Sequence, residues 1–99
     1  MRKVDLTLRI SEATDFDKEI VTTIVESFMF EVIKAMEEGN DIFLRGFGTF
    51  GITERAEKNG RNISEKTAIT IPSHNTPTFK PCKAFKKNVK KSNPVQNGN

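Results

Sequence analysis

The plainest pattern in the chain lies between Asp17 and Gly39. Ile20, Val21, Ile24, Val25, Phe28, Met29, Val32, Ile33 and Met36 recur at the three-and-four spacing of one wide helical stripe, and Glu26, Glu31, Lys34, Glu37 and Glu38 fill the remaining face. Asp17 is placed to cap the start, and Glu19 lies in the first turn, where the helix dipole favours an anion. Phe16 and Val21 can clasp the N-terminal end, and Gly39-Asn40 stops the helix. A stripe this wide covers more than one neighbour. It suits a buried core helix or a helix shared with a second subunit.

Residues 3–10, KVDLTLRI, alternate apolar and polar with period two, the signature of a strand. Leu6, Ile10 and Ala13 also fall at i, i+4 and i+7, which allows a helix ending near Thr14. The residues alone support both. After Asp41, Ile42 and Leu44 alternate with Phe43 and Arg45, Gly46-Phe47-Gly48 interrupts, and Phe50 and Ile52 resume, which predicts two strands joined by a glycine-rich turn. Neither GxxxxGK[ST] nor GxGxxG occurs there and no helix follows, so a tight turn outranks a phosphate loop.

The segment from Glu54 to Pro77, ERAEKNGRNISEKTAITIPSHNTP, is polar, largely basic and set between two apolar blocks. Ile63, Ile69 and Ile71 are too few to offset the entropy of ordering roughly 24 residues at about 1–2 kcal/mol each. It reads as a long hairpin that turns within residues 62–66, returns through Ala68–Ile71 and needs a partner to lie against. Pro72 and Pro77 belong at an edge or a bulge. Pro81 then opens a short helix, CKAFKKNVKK, anchored by Phe85 and Val89 with lysines crowding its other faces. Residues 92–99 lack apolar anchors and are expected to be a disordered tail.

A balance of 35% hydrophobic and 29% charged residues is that of an ordinary globular domain, so 1–91 is expected to be one domain. With the hairpin outside the core, about three quarters of the chain must bury itself, a size that often borrows a second subunit. There is no apolar run long enough for a membrane span and no apolar signal core, so a soluble, unexported, cytoplasmic protein with no membrane partner is expected. Charge changes the picture more. Residues 1–50 hold six Lys/Arg against ten Asp/Glu, a net −4, whereas residues 51–99 hold ten against three, a net +7. The basic half is where a polyanion would dock, unless it is simply a solvated face.

Enzymatic chemistry finds little footing. His74, the single histidine, lies in a Ser-His-Asn context, and Cys82 has no second thiol or histidine at metal-ligand spacing. No catalytic residue, metal, cofactor or small-molecule substrate is expected.

GFGTF at 46–50, RAEKNGRN at 55–62 and PTFKPCKAFK at 77–86, in this order of elements, resemble the HU and integration host factor family of bacterial architectural DNA-binding proteins across residues 1 to about 91. The resemblance implies an α+β fold: two N-terminal helices form the body of an intertwined dimer, with a three-stranded antiparallel saddle, an extended β-ribbon arm over about 54–77 and a short C-terminal helix. It makes residues 3–14 helical, with Val4 and Leu8 partly off the core face. It implies that Lys3, Arg55, Lys58, Arg61, Asn62, Ile63, Lys66, Lys80, Lys83, Lys86 and Lys87 bind DNA, and that Phe28, Val32, Phe47, Phe50 and Phe79 form core and dimer contacts. The partners implied are double-stranded DNA and a second subunit, identical or related, in the nucleoid.

The mechanism implied is that of minor-groove architectural proteins, in which arms enter the groove and apolar wedges kink the duplex. Family arms place a proline after Arg-Asn, whereas Ile63 stands there in this chain, and Lys66 stands near a usual glycine. Ile63 either wedges or packs on sugars. The resemblance favours binding with little sequence preference. A sequence-preferring bender of the integration host factor type and a basic protein-interaction module are the alternatives.

Overall fold

The computed structural model describes residues 1–62 and 67–93, and only the backbone of residues 59–62 and 67–69. The element order is α1 (Lys3–Thr14), α2 (Lys18–Glu37), β1 (Ile42–Leu44), β2 (Gly48–Arg55), β3 (Lys58–Asn62), β4 (Thr67–Ile71), β5 (His74–Pro81) and α3 (Lys83–Ser92). The chain divides into two compact units, Met1–Glu38 and Gly39–Asn99.

In the first unit, residues 3–14 are a helix, so the period-two reading of KVDLTLRI fails as a strand. On a helix, Val4 and Leu8 fall on one flank and Leu6 and Ile10 on the nearly opposite one. The strip between them packs on α2, and its central residue is Thr7, 1% exposed, whose hydroxyl is satisfied by the Val4 carbonyl at 3.0 Å. All four apolar neighbours remain exposed, Leu6 and Ile10 included, although their spacing predicts a buried face. The Asp5 carboxylate accepts from the Arg2 amide at 2.7 Å, and Asp15 ends the helix in the left-handed conformation (φ 61°).

The start and stop expected for α2 are both present. Asp17 accepts from the Glu19 amide at 3.4 Å, and Gly39 follows the C-cap at φ 95°. Phe16 is exposed while Val21 is buried, so the cap, not an aromatic clasp, fixes the N-terminal end. Among the described residues Val21 is the single fully buried hydrophobic side chain; Ile20, Ile24, Phe28, Met29, Phe30 and Ile33 on the same helix are exposed.

The second unit is built on a three-stranded antiparallel sheet ordered β1-β2-β5, beside a two-stranded ribbon of β3 and β4. The GFGTF motif has two separate structural reasons. The Phe47 amide bonds the Leu44 carbonyl at 2.9 Å, a turn whose third residue, Gly46, sits at φ 82°, as a type II turn requires. Gly48 has no such conformational need: a β-carbon there would stand 2.5 Å from the Lys80 carbonyl oxygen and 2.6 Å from the Phe79 ring. The glycine lets β5 close on β2.

Phe79 then stacks against Phe50 (4.8 Å) and Phe47 (5.1 Å), and Phe85 of α3 joins Phe47 at 5.4 Å. Pro77 and Pro81 both lie in β5, an edge strand, where a missing donor costs the ladder least. Pro81 therefore ends a strand instead of opening a helix. Cys82 is the cap of α3, its sulfur accepting weakly from the Phe85 amide at 3.5 Å. Phe85 anchors that helix, whereas Val89 is exposed.

The long hairpin is present but interrupted. β2 and β5 pair as far as Arg55 and His74, two residues on each strand leave the ladder, and pairing resumes from Lys58 and Ile71 to Asn62 and Thr67.

Candidate nucleic-acid interface

Side chains alternate across a strand, so the β2–β5 register sorts the sheet into two chemically different faces. Gly48 with Pro81, Phe50 with Phe79 and Ile52 with Pro77 make one face, apolar and aromatic until Glu54 with Asn75 at its far end. Thr49 with Lys80, Gly51 with Thr78, Thr53 with Thr76 and Arg55 with His74 make the other, hydroxylic and cationic. The Thr78 hydroxyl bonds the Gly51 carbonyl at 3.2 Å and lies 3.4 Å from the Thr53 hydroxyl. Those threonines hold one another without using up the cations.

Arg55, Lys58 and Lys80 are exposed, and the sole ion pair among the described residues joins Lys3 to Glu26 in the first unit. A cationic face with no carboxylate partner is an arrangement that bound anions would complete. Lys3 differs from the other expected DNA-binding residues because Glu26 holds it. On α3 the lysines Lys83, Lys86, Lys87, Lys90 and Lys91 cover one arc, opposite Phe85 and Val89, and all five are exposed. Lys90 and Lys91 suit the helix C-terminus, whereas Lys83 and Lys86 crowd the N-terminal turn, where no acidic residue offsets the dipole.

Arg61 and Asn62 stand on β3 opposite Ala68 and Thr67, with their side chains outside the described atoms. Ile63 and Lys66 lie outside the described residues, as does the end of the tail. Of the expected core and dimer aromatics, Phe47, Phe50 and Phe79 come together in one cluster, joined by Phe85, which the sequence marked only as an anchor of its own helix. Phe28 and Val32 lie on α2, Phe28 exposed and Val32 half-buried. Sequence reasoning also missed His74 and Phe43 as members of the hydroxylic, cationic face. The signal that places them is the register, Arg55 opposite His74 and Phe43 opposite Thr49.

No helix among the described residues is long and apolar enough to cross a membrane. Residues 1–90 match the protein family described as bacterial DNA-binding protein. The chain is 37% identical over 92 residues to the DNA-binding protein HU of Xylella fastidiosa, covering 93% of this chain and 98% of that one. It is likewise 37% identical over 86 residues to DNA-binding protein HU 1 of Bacillus subtilis, covering 87% and 94%. A cocrystal structure of Anabaena HU with DNA superposes with a TM-score of 0.84 at 27% identity, covering 96% of this chain and all of that one. With its three helices, its three-stranded sheet and its ribbon, and the match over residues 1–90, the chain belongs to the bacterial DNA-binding protein family, alongside the HU proteins.

Proposed function

We propose that this chain acts as a dimer that binds duplex DNA with little sequence specificity, places its β3–β4 arms in the minor groove and bends the duplex in the bacterial nucleoid. The observation that carries the reading is the two-faced sheet. Its aromatic face carries Phe50 and Phe79 with Phe47 and Phe85 against them, and its hydroxylic, cationic face runs as far as Arg55, three residues before Lys58 opens the ribbon. Cations on such a surface displace condensed counterions, a gain that needs no base sequence. Arginines entering the narrow minor groove meet a degenerate acceptor pattern, so sequence readout is weak. Bending costs a few kcal/mol, by order of magnitude, and added phosphate contacts offset it.

The dimer follows from what a single chain leaves uncovered. With Val21 its single fully buried hydrophobic side chain among the described residues, one copy has too little core to be stable alone. A second copy covering Leu6, Ile24, Phe28 and Ile33 supplies it.

Lys80 extends the cationic sheet, Lys83, Lys86 and Lys87 extend it onto α3, and Lys3 joins once a phosphate competes with Glu26. Arg61, Asn62, Ile63 and Lys66 form the far end of the arm in this reading. A gel-shift series on linear, nicked and four-way-junction DNA tests it. Tighter binding to the pre-distorted forms is expected, because they require less bending work, and equal affinity for all three contradicts bending. At the tip, Ile63→Ala should reduce the bend, read by energy transfer between labelled DNA ends, more than it reduces affinity. Arg61→Ala should lower both. An unchanged bend in Ile63→Ala would remove the wedge from the mechanism and leave the grip.

A further inference from the structure

One aromatic ring lies on the opposite face from the others. Phe43 of β1 pairs with Thr49, which pairs with Lys80, so the three form one row on the hydroxylic, cationic face of the sheet. Phe43 is 78% exposed, and among the described residues it takes no part in the aromatic cluster of Phe47, Phe50, Phe79 and Phe85. Beside it runs an open groove of about 520 Å³ whose lining includes Arg45, Thr49 and Lys80. Covering the cluster's side of the sheet leaves this ring bare. An exposed phenylalanine on an edge strand invites association unless a ligand covers it.

The surroundings select the ligand. Arg45 and Lys80 share the groove with the ring, and neither has a carboxylate partner among the described residues. Asp41, just before β1, is engaged by the Ile52 amide at 3.1 Å. An apolar ring held between free cations matches a polyanion that presents apolar sugar edges between phosphates. Resting on the reading that the cationic face turns to the duplex, we propose that Phe43 is a DNA contact, its ring packed on deoxyribose while Arg45 and Lys80 take flanking phosphates. It adds an apolar, salt-insensitive increment to an otherwise electrostatic surface.

The chain has neither Trp nor Tyr, so Phe43→Trp creates a single fluorescent reporter. Phe30→Trp serves as the control, since Phe30 is 61% exposed on α2 within an arc that also carries Glu26 and Lys34. Each full-length variant is titrated with duplex while a gel shift records binding independently. At saturation the indole emission of Phe43→Trp is expected to fall by about half as the ring meets the nucleic acid, and that of Phe30→Trp to stay constant. Unchanged emission from Phe43→Trp on a shifted complex overturns the assignment. If even the native chain fails to shift duplex, the DNA reading itself is at fault, which is a distinguishable result.

The second arm is Phe43→Ala, with its fold checked by circular dichroism. About tenfold weaker duplex binding with an unchanged salt slope is expected, since an apolar contact releases no counterions. Native affinity, or a loss that appears as a shallower slope, overturns the proposal.

Discussion

Gly48→Ala should remove about 3 kcal/mol of stability from the sheet unit, the upper range for overpacking a closed contact. The added carbon would stand 2.5 Å from the Lys80 carbonyl, a backbone atom that moves only if β5 moves. Displacing β5 would also pull Phe79 from Phe50 and Phe47, now 4.8 and 5.1 Å away, and loosen α3 through Phe85. Gly51→Ala is the internal control. Its nearest obstacle is the Thr78 hydroxyl at 3.9 Å, ordinary van der Waals contact, so it should cost under about 1 kcal/mol. Urea midpoints of the two variants measure the difference. Equal midpoints would mean that the close β2–β5 approach is not what GFGTF protects.

Phe28→Asp has the largest expected effect on assembly. The ring is 47% exposed in the single chain, so as a monomer feature its loss would cost little. Under a second copy, an unpaired carboxylate at that position would be desolvated, at several kcal/mol by order of magnitude. The variant should sediment as monomer or unfolded chain and fail to bend DNA. The native protein's melting temperature should rise with its own concentration, as mass action requires of an obligate dimer. A Phe28→Asp chain that stays dimeric with native melting would take α2 out of the interface.

How much of this was legible in the sequence depended on how far apart the determining residues lie. α2 was readable from end to end, because Asp17, the apolar stripe and Gly39 are local signals. For α1 the residues left strand and helix open, and the family resemblance alone favoured a helix. Period-two apolar residues are the rule for a half-buried strand, and here a helix with a buried Thr7 between two apolar flanks produces the same pattern. The turn within GFGTF was visible, whereas the reason for Gly48 was not, since it depends on Phe79 and Lys80, far along the chain in β5.

The charged residues were found from composition and family motif, but their grouping was not. Which residues share a face with Lys80 and Arg55 follows from register, and register joins residues 42–55 to 74–81 through contacts no local pattern reveals. Phe43 shows this most clearly. Alternation along β1 already sets it with Arg45 and against Ile42 and Leu44, but only pairing with Thr49 adds Lys80 to its row.

The central claim, that a dimer grips duplex DNA mainly by neutralising its phosphates, is tested most directly by duplex affinity measured across salt concentrations. If roughly 6–10 phosphates are neutralised, log K should fall against log salt with a slope near −5 to −9. A slope shallower than about −2 would contradict the account, since a surface built from these arginines and lysines could not then be what holds the DNA.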